Sequence, residues 1–298
     1  MANLRDIRRR IKSVKNTAQI TRAMELVAAA KMKKAQNQAL AGRGYADELN
    51  KVLVNLKENV DENAHPLLEK REGNKTLTLV ISADKGLCGG FNGNLFKEVN
   101  KAHTGETEYV TVGRKLRLSL MKAGNDIKAD FVVKDPVPFA EARPISKYLT
   151  EQFLSGEYDC IKVAFNDFKS TMLQVPTLVQ LLPIESNSLG EKQDYEGVGK
   201  DQIKEIDKAA ALEKEYTFEP SPEKVLDTLL PQYVNFHIYQ MLVESRASEH
   251  SARMVSMKAA TDNAKDMQDA LTLEFNKLRQ AAITAELLEI TTAMKAME

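Results

Sequence analysis

From Gln232 to Glu298 the chain holds neither glycine nor proline, and its apolar residues return at intervals of three and four. Such a run predicts one long helix, because both breakers are absent and the spacing keeps one stripe of a 3.6-residue turn apolar. At about 1.5 Å per residue the helix extends roughly 100 Å, more than the width of a small domain. A second helix or another chain must therefore cover its stripe. The opening repeats the pattern: residues 1–41 also lack both breakers, and Leu4, Ile7, Ile11, Val14, Ala18, Thr21, Met24, Ala28, Met32, Ala35 and Ala39 keep the same spacing.

The 14 glycines all fall between Gly42 and Gly199 and the 9 prolines between Pro66 and Pro231, so turn chemistry is confined to the middle of the chain. A folded insert brings its two ends close together on its surface. The arms then lie side by side as an antiparallel coiled coil. Apolar spacing from Tyr45 to Val60 carries the first helix past Gly42 and Gly44, and His65-Pro66 ends it. The expected division is an N-terminal coiled-coil helix over 1–62, an α/β domain over 75–220 and a C-terminal coiled-coil helix over 221–298.

Within the middle, TLTLVIS (76–82) reads as a strand, ADKGLCGGFNG as a glycine loop and NLFKEVNKAH as a helix. The unit recurs as EYVTVG (108–113) before RKLRLSLMKAG, and as DFVVKD (130–135) before ISKYLTEQFLSG. YDCIKVAFNDF and VPTLVQLLPI then form a hairpin. Strands alternating with helices predict an α/β fold, a Rossmann-like mixed-sheet domain with an antiparallel edge, inserted between the two long helices. Residues 187–215 are polar and acidic and read as an exposed excursion. Ser221-Pro222-Glu223 has the form of a helix start, and Pro231 is expected to kink or break that helix before the long run begins.

No stretch of about 18 apolar residues is present to span a membrane. Two cysteines, Cys88 and Cys160, are too few for a secreted disulfide framework and point to a reducing compartment. No signal peptide is read at the opening. That opening is basic and amphipathic like an organelle transit peptide, but its helical pattern runs past residue 30 without a cleavage-like break. The net charge of zero conceals a division. Residues 1–40 hold ten Lys or Arg against Asp6 and Glu25, whereas residues 185–230 hold twelve acids against six bases. An arm this basic suits an acidic neighbour, although a charge run is more often a solvated face. Nucleic acid fits it less well, since the arm has no aromatic residues for stacking.

The glycine loop, with Gly86, Gly89, Gly90 and Gly93, invites a nucleotide reading and does not meet its requirements. A phosphate-binding P-loop places a lysine and a hydroxyl residue after its last glycine, where Phe91 and Asn92 follow Gly90. A dinucleotide fingerprint needs an acid at the end of the second strand for the ribose, where Val112-Gly113-Arg114 stands. A tight strand-to-helix turn capped by Asn92 or Asn94 accounts for the loop. His65, His103, His237 and His250 show no metal spacing. Cys88 near a helix start reads better as a small buried residue than as a nucleophile. No catalytic signature, cofactor site or metal site emerges. What stands out is apolar residues on more than one face of the arms: Ile20, Met24, Leu26 and Val27 on the first, Leu287, Leu288, Ile290, Met294 and Met297 at the end of the second. A two-helix coil buries one stripe per helix, so the tips need a sheath from another chain.

RDIRRRIKSVKNTAQITRAMELVAAAKMKKAQ (5–36), SADKGLCGGFN (82–92), FNDFKSTMLQVPTLVQLLPI (165–184), SEHSARMVSMKAATDNA (248–264) and NKLRQAAITAELLEI (276–290) closely resemble the gamma subunit of bacterial-type F-type ATP synthases. The resemblance covers nearly the whole chain in order. It departs at the ending TTAMKAME, where the family has a small glycine-alanine tail, and in the polar segment 187–213, unlike the cysteine-bearing insert of chloroplast relatives.

The resemblance implies a central-stalk rotor shaft that couples ion-driven rotation of a membrane ring to ATP synthesis or hydrolysis, a non-catalytic role. The coiled coil stands inside a ring of alpha and beta subunits, with its positive charge facing acidic lever segments of beta. The foot rests with epsilon on the ring of c subunits, peripheral to the cytoplasmic face of the bacterial inner membrane. Arg253 and Gln280 are then expected to grip the catalytic ring, with Arg279 and Arg22 as lesser contributors. Met24, Leu287 and Leu288 would meet the apolar sleeve, and Phe218 and Glu219, with Tyr216, would meet the c-ring. Two other classes stay open from the residues alone. A Rossmann-type dinucleotide-binding enzyme with helical dimerisation arms predicts saturable dinucleotide binding, and a coiled-coil scaffold or nucleic-acid adaptor predicts a homodimer or salt-sensitive DNA binding.

Overall fold

A computed structural model describes residues 4–57, 65–71, 73–184 and 221–297. The excursion at 187–215, and Tyr216, Phe218 and Glu219, lie outside the described residues. Helix α1 spans Leu4–Lys57 and helix α5 spans Pro222–Met297. Between them come β1 (Thr76–Ile81), α2 (Phe91–Lys101), β2 (Thr107–Val112), α3 (Arg114–Lys122), β3 (Ile127–Phe131), α4 (Ala142–Leu154), β4 (Cys160–Phe168) and β5 (Gln174–Leu182).

The sheet order is β3-β2-β1-β4-β5. β1 runs parallel to β2 and β4, β2 parallel to β3, and β5 returns antiparallel beside β4 as the hairpin pattern predicts. One face, with Leu77, Leu79, Ile81, Val110 and Val163, packs in the main core with Leu49 and Leu53 of α1, Ile145 and Leu149 of α4, and Val234, Ile238 and Leu242 of α5. The other face, with Val80, Tyr109 and Ala164, packs on Leu95 and Val99 of α2 and Leu116 and Leu120 of α3. Both faces of β1 are therefore covered, which is why its six residues are all buried and why it reads as continuously apolar and threonine-rich.

Three local expectations are corrected. The third strand lies at Ile127–Phe131 rather than 130–135, because β2 ends at Val112, paired with Phe131, and offers no partner beyond it. Helix α5 begins at Pro222 and runs unbroken through Pro231. An interior proline costs about 3 kcal/mol, but Leu226, Leu230, Tyr233 and Val234 around it are buried in the main core, and that burial outweighs the lost backbone bond. The start of α2 is capped by Gly90 and not by asparagine: Asn92 Oδ1 instead accepts from the Ala83 N–H (3.1 Å), back at the end of β1. Ser221 does behave as a cap, its Oγ accepting from the Lys224 N–H at 3.4 Å.

The chain divides into two compact units, one formed by Met1–Val27 with Met254–Glu298, the other by Ala28–Arg253. The first is a helix pair and the second holds the sheet.

Candidate partner-binding surface

In the helix-pair unit the Thr21 and Thr261 hydroxyls hydrogen-bond at 2.7 Å, and the Arg8 guanidinium lies 5.4 Å from the centre of the Phe275 ring. Residue 8 facing 275 and residue 21 facing 261 is the antiparallel register. Ile7, Met257 and Ala264 are buried along this seam. Ile20 and Val27 are 61% and 56% exposed and sit roughly 100° or more around α1 from Thr21, so α1 carries apolar surface that α5 does not cover. Met24 is half-buried.

The same register brings Leu4 opposite residues near 278. Beyond that point α5 has no described partner helix, and every residue from Ile283 to Met297 is exposed. Ile283, Leu287, Ile290, Met294 and Met297 fall within roughly 40° of one line along the helix, and Leu288 stands about 140° away. The apolar residues thus form one heptad stripe with an outlier rather than wrapping the helix evenly. Arg279 and Gln280 are exposed at the base of this stripe. Arg22 is exposed and ion-paired to Glu25 at 2.7 Å.

Arg253 belongs to the other unit and is buried. Its Nη2 donates to Glu249 Oε1 (2.7 Å) and to the Lys85 carbonyl (3.3 Å), its Nε to the Gly86 carbonyl (3.3 Å), and Nη1 lies 3.2 Å from His250 Nδ1. Glu249 also accepts from Arg246 Nη1 at 2.7 Å, and Arg246 Nη2 donates to Asp84 Oδ2 (3.0 Å) and the Val133 carbonyl (3.1 Å). His250 Nε2 lies 3.2 Å from Asp135 Oδ2, which pairs with Lys31 of α1 at 2.7 Å. His250 first, and then Lys31, hold the Asp135 carboxyl well below the usual carboxylate range.

Arg246 and Glu249 are the residues that sequence reading passed over, and His250 enters there only as a rejected metal ligand. Their spacing looks like the polar face of a surface helix. The signal that marks them is the run Ser245, Ala247, Ser248, Ser251 and Ala252, small residues interleaved with charge in a stretch of α5 that is buried throughout.

This network lies beyond the carboxyl ends of β1 and β3, the end of the sheet at which an open α/β fold usually binds its ligand. A phosphate site presents backbone N–H groups. The β1–α2 loop presents the Lys85 and Gly86 carbonyls to a guanidinium of its own chain, the opposite polarity. Cys88 is buried in this loop, and burial pushes its thiol up against the opposing pull of Arg253, which makes it a poor nucleophile. The dinucleotide-enzyme alternative has no footing in this geometry.

The ATP synthase family model (ATP-synt) matches residues 3–297. The chain is 47% identical, over the full length of both sequences, to the ATP synthase gamma chain of Akkermansia muciniphila. Among solved structures, it resembles a chain of the Tetrahymena thermophila mitochondrial ATP synthase central stalk and c-ring, with TM-score 0.59 and 27% identity over 81% of this chain and 99% of that one. A chain of the Euglena gracilis mitochondrial ATP synthase shares the fold at TM-score 0.64 and 18% identity, over 99% of this chain and 94% of that one. A family model that matches residues 3–297 and a relative 47% identical over the full length of both sequences show that the chain belongs to the ATP synthase gamma-chain family.

Proposed function

We propose that this chain is the central-stalk rotor shaft of an ATP synthase, a subunit that makes no ATP itself. It couples rotation of the membrane c-ring to the catalytic work of the surrounding alpha and beta subunits. The observation that carries the reading is the heptad stripe from Ile283 to Met297, exposed along its whole length. An exposed stripe of this kind marks a surface that another chain covers, and alpha and beta subunits supply the cover. Catalysis belongs to them; one asymmetric shaft touches three otherwise equal sites differently and so biases which is open. The foot rests with epsilon on the c-ring, at the cytoplasmic face of a bacterial inner membrane. No helix among the described residues is long and apolar enough to cross a membrane. In functional terms the chain is read as arm, domain and arm, over 1–62, 75–220 and 221–298.

Within this reading Gln280 is the polar grip on the catalytic ring, Arg279 and Arg22 assist, and Met24, Leu287 and Leu288 meet the sleeve, while Arg253, buried against its own loop carbonyls, supports the grip from within the chain. Phe218 and Glu219 contact the ring. Gln280 is the cleaner test, because Arg253 also holds its own loop carbonyls. Gln280→Ala is expected to leave assembly intact and to lower ATP turnover, with Lys265→Ala unchanged, whereas Arg253→Ala is expected to lower turnover while also stripping the Lys85 and Gly86 carbonyls of their donor. Wild-type turnover in fully assembled Gln280→Ala complexes would remove the grip. Cysteines at 218 or 219 that never cross-link to a c subunit would remove the ring contact. The shaft reading itself fails if alpha, beta and epsilon do not co-purify with the tagged chain from membranes.

A further inference from the structure

Every residue of α5 from Phe236 to Arg253 is buried. Apolar contacts hold such a helix in the core but are non-directional, so they define its depth more firmly than its rotation or axial position. Directional bonds define those. Arg246 reaches the β1–α2 loop at Asp84 and the loop after β3 at Val133 from one guanidinium. Ser251 Oγ donates to the Thr171 carbonyl in the β4–β5 turn at 2.7 Å. At 3.6 residues per turn Ser251 stands roughly 140° around the helix from Arg246, so α5 is bonded on two well-separated sides to three different loops of the sheet.

We infer that Arg246 is a positioning residue that fixes the rotational register of α5 against the sheet, so that twist carried by the helix reaches the domain without slack. Burial makes the fixing stiff. Arg246 is 7% exposed. Glu249 neutralises it from α5 and Asp84 from the loop, and their combined pull outweighs the burial that opposes its charge and raises its pKa. A guanidinium with three planar bonds cannot turn without breaking at least one of them, and each broken bond strands a desolvated partner. Arg253 shares this face and holds the next two carbonyls of the same loop, and His250 meets Asp135 beyond β3, but one guanidinium joins both loops only at Arg246.

The inference rests on the rotor reading, and the test separates the two. In membrane-bound complexes, ATP hydrolysis and ATP-driven ion pumping are measured together for wild type, Arg246→Met, Arg246→Lys and Asp84→Asn. A wild-type complex that does not pump defeats the rotor reading. With wild-type pumping in hand, Arg246→Met is expected to keep hydrolysis within about twofold while the ratio of pumping to hydrolysis falls at least about threefold. Arg246→Lys, reaching fewer acceptors, recovers part of the ratio. Asp84→Asn keeps Arg246 in place and assembles even where Arg246→Met does not; it is expected to lower the ratio by a smaller factor. Hydrogen exchange should quicken at 84–87 and 133–135 and stay slow at 238–243. An unchanged ratio in assembled Asp84→Asn and Arg246→Met complexes overturns the inference. Faster exchange throughout the core also overturns it, since that is what a merely structural role produces.

Discussion

Helix α5 contains two stretches that reverse the usual distribution of residues in opposite directions. From Phe236 to Arg253 it is buried at every position, yet it carries Gln240, Glu244, Arg246, Glu249, His250 and Arg253. From Ile283 to Met297 it is exposed at every position, yet it carries Ile283, Leu287, Leu288, Ile290, Met294 and Met297. In the first stretch charge is tolerated because loops of the same chain, and Glu249 on the helix itself, supply carbonyls and carboxylates at hydrogen-bond distance. In the second, the apolar surface has no cover within the described chain, and the proposed rotor role assigns that cover to other subunits. The composition of a helix segment therefore reports what surrounds it in the finished assembly and not only in the chain.

The largest expected effect comes from placing a carboxylate in the first stretch. Leu242→Asp puts an unpaired charge in the main core, where Leu242 is 2% exposed, and is expected to cost more than about 4 kcal/mol and abolish the folded chain. Circular dichroism of the purified chain reads this directly. Leu288→Asp is chemically the same change on the same helix and is expected to leave the thermal midpoint of the isolated chain nearly unmoved. Equal destabilisation by the two would break the comparison.

A second effect is expected from His237, which is buried in the first stretch with its ring 4.0 Å from that of Tyr233. Burial lowers its pKa from 6.5 to about 4. The unfolded chain thus binds the proton more readily between those values. The stability due to a neutral His237 is fully present above about pH 6.5 and is lost as pH falls toward 4, by about 3 kcal/mol in all. Denaturant unfolding of wild type and His237→Phe across this range should show a slope that the variant lacks. The closing stretch contains no histidine and has no counterpart to this dependence.

The two stretches also mark where the sequence was readable. The strands, their alternation with helices and the hairpin edge were legible because breakers and β-branched runs are local signals, and the tip was legible because Leu287, Leu288 and Ile290 are apolar at positions that the opening arm is too short to reach. The ion-pair network was not. Arg246 finds Asp84 and Val133, 162 and 113 positions away, and no periodicity within α5 encodes such partners. The cap of α2 was misread for a similar reason: Asn92 has the chemistry of a cap but is drawn to the free Ala83 N–H at the end of β1. Pro231 suggests a kink or break because its local cost is visible in sequence, whereas the core burial that offsets it is not.

A smaller effect is expected at Ser251. Ser251→Ala removes the donor to the Thr171 carbonyl, in a part-buried turn that water can reach, so about 1 kcal/mol is expected. Equilibrium unfolding should detect it as a shift in midpoint at unchanged slope. A loss near zero would mean that the hydroxyl is a passenger and that apolar packing alone seats the first stretch.

The smallest effect on the chain itself is expected at the tip. Leu287 and Leu288 are 58% and 59% exposed, so Leu287→Ser and Leu288→Ser remove little contact within the chain and should change its stability by no more than about 0.5 kcal/mol. Helix propensity differs by only a few tenths of a kcal/mol between the two residue types, and the Thr291 hydroxyl already bonds back to the Leu287 carbonyl without breaking the turn. The same side chains enclosed by a sleeve each contribute about 1.5–3 kcal/mol of burial, so each serine should weaken association with the alpha and beta subunits roughly tenfold or more. Titrating labelled chain into the isolated ring gives the affinity, and the melting curve of the same preparation gives the stability. If the serines lower stability and leave affinity untouched, the stripe is covered by this chain and not by its partners, and the contrast between the two stretches disappears.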